Sequence, residues 1–160
     1  MKIKKIISGG QTGVDIAALK VAKKLKIETG GWAPPEIQNE AGLIPAFYNL
    51  KPTPQEISLG APNIPRSMRT EWNVRDSDGS MIILPNKEFN CPGTHLAIQT
   101  AQNLGKPVFI IYLNEKTSSL DFHKWINENN IRVLSIGGPS ESSYKGMENK
   151  TTEILINLLQ

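Results

Sequence analysis

The sequence predicts an α/β protein with a Rossmann-like, open, doubly wound parallel sheet of about five strands and helices on both faces. Short apolar runs alternate along the chain with stretches whose apolar residues recur every three or four positions, the spacing of one helix face. Runs such as "PVFIIYL" (107–113) are apolar throughout, which suits strands covered on both sides rather than strands with one wet face. The glycines of "SGGQTGVD" (8–15) fall where the first such run gives way to the first helix, the place where doubly wound folds approach a ligand.

The elements follow in order. Residues 3–8 read as a buried strand, and Val14, Ala18, Val21 and Leu25 form one helical stripe with Lys20, Lys23 and Lys24 mostly off it. Residues 27–32 give a second strand closed by Gly30 and Gly31, completing a parallel crossover unit. The rhythm resumes with a strand at 80–84, a helix from Thr94 to Leu104 ended by Gly105, and a strand at 107–113. A helix over "SSLDFHKWINENN", a strand at 131–136 and a closing helix from Glu148 to Leu159 complete the alternation. In the commonest order for five such units the first and third strands are neighbours at the winding switch, and their helix mouths face one crevice.

Residues 33–67 break the pattern. They hold Pro34, Pro35, Pro45, Pro52, Pro54, Pro62 and Pro65, with little apolar periodicity. The chain is expected to form one domain over 1–160, with this Pro-rich loop as an insertion. A loop of this length overhangs the ligand crevice, forms a subunit contact or wanders over the surface.

Composition narrows the function classes. The chain has 160 residues, 39% hydrophobic and 21% charged, which is ordinary globular usage. A net charge of +3 and 6% aromatic residues give no basic groove with stacking platforms, so nucleic acid is not an expected partner. Cys91 is the single cysteine and allows no internal disulfide. Neither a signal peptide nor a membrane span is read in the sequence, and the cytoplasm is the expected address.

The start of a helix leaves amide N–H groups unpaired at its positive end, a natural seat for an anion. Gly9, Gly10 and Gly13 let the backbone turn sharply and approach a ligand closely. The stretch departs from the dinucleotide fingerprint, since Ser8 replaces its first glycine and no acidic residue ends the second strand, so NAD is not expected. Thr12 and Asp15 also have the spacing of a helix-capping pair. A second mouth lies at "NCPGTHLAIQTA", where Pro92 suits a helix start, Gly93 permits close approach and Thr94 offers a hydroxyl and an amide. In "RTEWNVRDSDG" (69–79), Arg69 and Arg75 suit an oxyanion, Trp72 a flat ring, and Asp76 and Asp78 a heterocycle's donors. Trp72 also suits the core, and Asp76 to Gly79 an ordinary turn.

With those stretches placed, the chain resembles the "putative molybdenum carrier" family, the molybdenum-cofactor-carrier-like branch of the SLOG group of Rossmann-like proteins. The resemblance rests on "GGQTGVD" (9–15), "TGGWAP" (29–34), "RTEWNVRDSDG" (69–79), the Gly93-Thr94 loop and "GGPSES" (137–142). It implies a SLOG-type fold and a homo-oligomer, dimer or tetramer, that binds or carries an anionic small molecule, with molybdenum cofactor or molybdate as the suggested ligand. The site residues it implies lie in these motifs: Gly9, Gly10, Gln11, Thr12, Gly13 and Asp15; Arg69, Trp72, Asn73, Arg75, Asp76 and Asp78; and Pro92, Gly93 and Thr94. "GGPSES" borders the same crevice or serves as a loop with a helix cap.

The alternative is a nucleotide-binding or nucleotide-processing SLOG protein. The neighbouring phosphoribohydrolases carry a glutamate three residues after the loop threonine, where this chain has Ala97, which transfers no proton. That activity is therefore not expected, and a binder is favoured over an enzyme. Cys91 and His95 are too few ligands for a zinc site.

Overall fold

The computed structural model describes residues 2–160 of the chain. Its main sheet has six parallel strands: β1 (Lys5–Ile7), β2 (Glu28–Ala33), β5 (Leu50–Pro52), β6 (Gly79–Leu84), β7 (Val108–Tyr112) and β8 (Val133–Gly137). The order across it is β5-β2-β1-β8-β6-β7, and a small antiparallel hairpin, β3 (Gln38–Asn39) with β4 (Gly42–Leu43), stands apart. Among the described residues four helices lie between strands, α1 (Val14–Lys24), α2 (Ser67–Arg75), α3 (Pro92–Asn103) and α4 (Ser119–Glu128), and a fifth, α5 (Met147–Leu159), follows β8. Among the described residues no helix is long and apolar enough to cross a membrane.

Alternation along the strands decides which helices cover which face. On β6, Met81 and Ile83 join Ile6, Ile111, Leu134 and Ile136 under Val14 and Ala18 of α1, Phe122 of α4 and Leu155 of α5. The intervening Ile82 and Leu84 turn the other way, to Val74 of α2 and Ala97 and Ala101 of α3. Both faces are thus covered, as the continuous apolar strands require. Burying each large aliphatic side chain contributes roughly 1.5–3 kcal/mol, so these layers are the main cohesion of the fold.

The expected strand neighbours differ from the observed ones. β1 and β6 do not pair; β8 lies between them, with Ile6 opposite Leu134 and Ser80 opposite Ser135. Every strand of the sheet is parallel, so the two helix mouths still open on one edge, now with the loop after β8 between them.

Residues 33–67 are not structureless. Ile16 and Leu19, on the flank of α1 away from the main core, bury Ala33, Ile44 and Tyr48, and this contact holds the hairpin and a single 3-10 turn at Ala46–Tyr48. β5 then adds an edge strand to β2. Helix α2 was not legible as a helix because it buries only Ser67, Asn73 and Val74, with no apolar stripe. Polar contacts fix it instead: the Asn73 side chain accepts from Trp32 N at 2.8 Å and donates to Trp32 O at 3.0 Å, and Ser67 Oγ accepts from Ser58 N at 2.8 Å.

Candidate functional site

A cavity of about 290 Å³ opens at the C-terminal edge of the sheet and runs down between α2 and α3 onto the sheet face. Its rim brings together Gly9 and Gln11 after β1, Pro92 to Thr94 at the start of α3, and Gly137 to Ser140 after β8. Arg66, Arg69 and Asn73 come from α2 and the residue preceding it. The two mouths expected to face one ligand therefore share one cavity, with the β8 loop as a third wall.

The mouth of α3 leaves amides open to the cavity. Cys91 is the N-cap residue, in extended conformation, and Pro92 starts the helix without an N–H to lose. The next amide to find a helical partner is that of His95, which donates to Cys91 O at 3.0 Å. The amides of Gly93 and Thr94 precede that first bond and form no hydrogen bond to another described residue. Thr94 is buried, and its hydroxyl reaches Cys91 Sγ at 3.0 Å. A Cβ added at Gly93 meets no atom within 4 Å, so the space beside it is empty.

The mouth of α1 is satisfied in part from within the protein. Gln11 N donates to Asp15 Oδ2 at 3.2 Å, Thr12 N to Gln11 Oε1 at 2.9 Å, and Val14 N to Pro139 O at 3.3 Å. These three amides are thus occupied by protein acceptors, while those of Gly9, Gly10, Gly13 and Asp15 donate to no other described residue. The capping pair is also replaced: Gly13, with φ of 80°, is the N-cap residue and no side chain caps the helix. Thr12 instead hydrogen-bonds Glu40 on the hairpin and accepts from Glu141 N at 3.1 Å.

The glycines have separate reasons. At Gly9 a Cβ would occupy the space of the Arg69 guanidinium, so this glycine lets the cation lie against the loop. At Gly10, φ is 78° and a Cβ would come within 2.6 Å of Ile44 and 2.7 Å of Leu50, away from the cavity. Gly13 packs against the backbone of the β8 loop. Gly10, Thr12 and Gly13 therefore support the site without lining it.

Electrostatics centre on Arg69 and Asp15. Arg69 Nη1 meets Asp15 Oδ2 at 2.9 Å, and among the residues lining the cavity Asp15 is the one carboxylate. Burial pushes the Asp15 carboxyl above its usual range, while the Arg69 charge and the Gln11 amide act against that rise. Held by Asp15 at one nitrogen, Arg69 leaves its buried Nε–H without a partner. Arg66 stands at the rim in a left-handed conformation (φ 57°), one that a non-glycine residue adopts only where the surroundings fix it.

Other foreseen residues lie elsewhere. Trp72 packs edge-on against Trp32 at 4.8 Å between ring centres, and Arg75 covers its face at 4.5 Å. Asp76 accepts from Trp32 Nε1 at 2.7 Å and from Arg75 Nε at 2.8 Å, which holds its carboxyl below the usual range, the Arg75 bond contributing most. Asp78 Oδ2 accepts from Arg132 N and Val133 N, tying down the start of β8, and Asp78 does not line the cavity. Asn73 borders the cavity, but its amide is committed to the Trp32 backbone. The cluster Trp32, Trp72, Arg75 and Asp76 is thus a clamp between β2 and the end of α2 that does not line the cavity.

The β8 loop has both roles weighed for it: Gly137 to Ser140 line the cavity, while Glu141 accepts from Gly146 N at 2.7 Å and Glu148 N at 2.9 Å at the start of α5. Sequence reasoning missed Ser80, Ser135, Ile64, Pro65, Arg66 and Thr70. Of these only Ser80 and Ser135 left a signal, as hydroxyls on strands otherwise apolar on that face. Ala97 lines the cavity with its methyl group.

Comparison with known proteins agrees with this architecture. No curated protein matches the chain in sequence. The chain is similar to a protein of Syntrophus aciditrophicus SB named "putative molybdenum carrier protein", whose crystal structure superposes with a TM-score of 0.87 at 35% identity, covering 99% of this chain and 96% of the other. Residues 6–159 match the circularly permutated YpsA SLOG family. In this chain the last strand sits beside the first at the centre of the sheet, and the chain belongs to the circularly permutated YpsA SLOG family.

Proposed function

We propose that this protein binds an anionic small molecule in the cavity between α2 and α3, with molybdenum cofactor as the suggested ligand. The observation that carries the reading is the convergence of the unpaired Gly93 and Thr94 amides and the Arg69 guanidinium on one space. Amides at a helix start and an arginine fork both favour phosphate or oxo groups, the first by partial charge and the second by paired donors. The similar Syntrophus protein, by its name, adds the molybdenum suggestion.

Binding rather than catalysis fits the groups present. Asp15 is hydrogen-bonded to Arg69, and Ala97 supplies no acid or base. The ligand is held in the cytoplasm by a homo-oligomer in this reading. The test is to purify the protein, release bound small molecules and identify them by mass spectrometry with metal analysis. Gly93→Asp is the matched control, since it sets a carboxylate in open space and leaves the packing alone. Molybdenum with a pterin in the native protein, lost in Gly93→Asp, supports the carrier; a nucleotide lost in the same way replaces it with the nucleotide-binding alternative. Equal retention by both proteins refutes the site.

A further inference from the structure

The two edges of the main sheet are built differently. β5 is three residues long and carries the exposed Lys51 and Pro52, the latter without an N–H. Short length, lysine and proline keep an edge from pairing with another chain. β7 has none of these protections: its five residues, Val108 to Tyr112, are uncharged, and it pairs on one side only, with β6. Leu104, Ile110 and Leu120 are three of the six exposed large apolar side chains among the described residues, so the segment that carries this edge is also unusually apolar at its surface. A groove of about 200 Å³ follows the strand, with Phe109, Ile110, Tyr112, Glu115 and Asp121 in its walls.

The backbone of β7 leaves half of its hydrogen-bonding groups free. Ser80 N donates to Pro107 O at 3.0 Å and Leu113 N to Leu84 O at 2.9 Å, so in this parallel ladder the odd-numbered residues bond β6. Val108, Ile110 and Tyr112 therefore turn their N–H and C=O groups outward, to the side with no strand. Among the described residues only Tyr112 O finds a partner there, accepting from Glu115 N at 3.0 Å, and a carbonyl has a second lone pair.

Such an edge is complementary to itself. A twofold axis at Ile110 sets two β7 strands antiparallel; the Ile110 residues then exchange both bonds, and Val108 of each copy does so with Tyr112 of the partner subunit. In that register every cross-strand neighbour is aliphatic or aromatic, which favours pairing, and no like charges meet. Charge selects the same orientation. Each strand is entered past Lys106 and left past Glu115, so antiparallel copies set basic ends against acidic ends, whereas parallel copies oppose like charges.

We propose that two copies of this chain join along β7, centred on Ile110, into one continuous sheet. This assigns a surface to the homo-oligomer of the reading above, on which it rests. No residue of β7 lines the ligand cavity, so the seam and the ligand site are separate.

The test is sedimentation velocity of the full chain over a concentration series, with hydrogen exchange followed at the same concentrations. A dimer, or a tetramer built from it, is expected, and exchange of the Val108 and Ile110 amides slows about tenfold or more from the most dilute sample to the most concentrated. Ile110→Lys places a charge at the seam on a side chain already 37% exposed. Ile110→Pro removes an outward N–H that β6 does not use. Each is expected to weaken the association about tenfold or more, the worth of roughly one good hydrogen bond. Circular dichroism checks that the variants fold; where neither does, exchange in the native chain decides. An oligomer that both folded variants keep, or whose Val108 and Ile110 amides exchange at a rate independent of concentration, overturns the seam and leaves a homo-oligomer through another surface. A monomer at every concentration overturns the seam and the homo-oligomer together, also where an extended peptide is found on β7 in place of a second copy. Ligand retention bears on neither result, so anion binding is judged separately.

Discussion

Arg69→Leu removes the partner of Asp15 and leaves a carboxylate 3% exposed with only the Gln11 amide and its immediate neighbours to hold its charge. Breaking a buried pair by deleting one partner costs about 3–5 kcal/mol, because the remaining charge is neither hydrated nor compensated. The side chain of Arg69 is 14% exposed at the cavity rim, so some water reaches the pair and the lower end of that range, about 3 kcal/mol, is the better expectation. For a chain of this length that corresponds to a fall in Tm of about 6–12 °C.

The pH dependence identifies the cause. Burial raises the folded-state pKa of Asp15 above its ordinary 3.8, so the native state holds a proton that the unfolded chain has lost, and the contribution of this group falls as pH rises through the folded value. Without Arg69 the opposing attraction disappears and the folded value rises further. The stability deficit of Arg69→Leu is therefore greatest near neutrality and shrinks as pH falls toward 3.8. Urea unfolding at a series of pH values measures this, with Arg69→Leu/Asp15→Asn as the partner variant that restores most of the loss at neutral pH. A deficit that stays constant with pH, or a double variant no more stable than the single one, refutes the account.

Other substitutions follow from the same contacts. Gly10→Ala forces a side chain into a left-handed backbone against Ile44 and Leu50 and should lower stability by about 1 kcal/mol or more, measured by denaturant unfolding. Asp78→Ala removes the acceptor for the Arg132 and Val133 amides and should cost about 1–3 kcal/mol with no specific change in ligand retention, since Asp78 does not line the cavity. Glu40 is exposed, and the Ser142 and Thr12 bonds, with Ser142 the larger cause, hold its carboxyl below its ordinary 4.5. Its contribution is present above 4.5 and lost as pH falls through the lower folded value. Glu40→Gln should change global stability by less than about 1 kcal/mol yet speed hydrogen exchange of the Gln11 and Thr12 amides; unchanged exchange there would show that the hairpin does not steady the loop.

Much of this architecture was legible because periodicity and strand burial are local properties. The stripe Val14, Ala18, Val21 and Leu25, and the continuous strand Phe109 to Tyr112, needed no knowledge of their neighbours. The Gly93-Thr94 mouth was legible for the same reason, since a helix start exposes its amides whatever surrounds it. Helix α2 was not, because its stability comes from Asn73 gripping a strand 41 positions earlier in the chain. Nor were the partners of the α1 mouth, since Pro139 on the Val14 amide, Glu40 on the Thr12 hydroxyl and Arg69 on the Asp15 carboxylate arrive from remote segments.

By itself the sequence determined the fold class, the alternation of elements and the two glycine-bearing turns, all governed by residues within a few positions of one another. The tertiary structure decided the strand order, with β8 seated between β1 and β6, and so decided which loops share a cavity. It also separated Arg69, at the cavity, from Trp72 and Arg75, on the outer clamp, although all lie on one short helix. The physical reason is that a helix spreads neighbouring residues around its axis, and only packing against β2 and α3 fixes which of its sides faces the empty space.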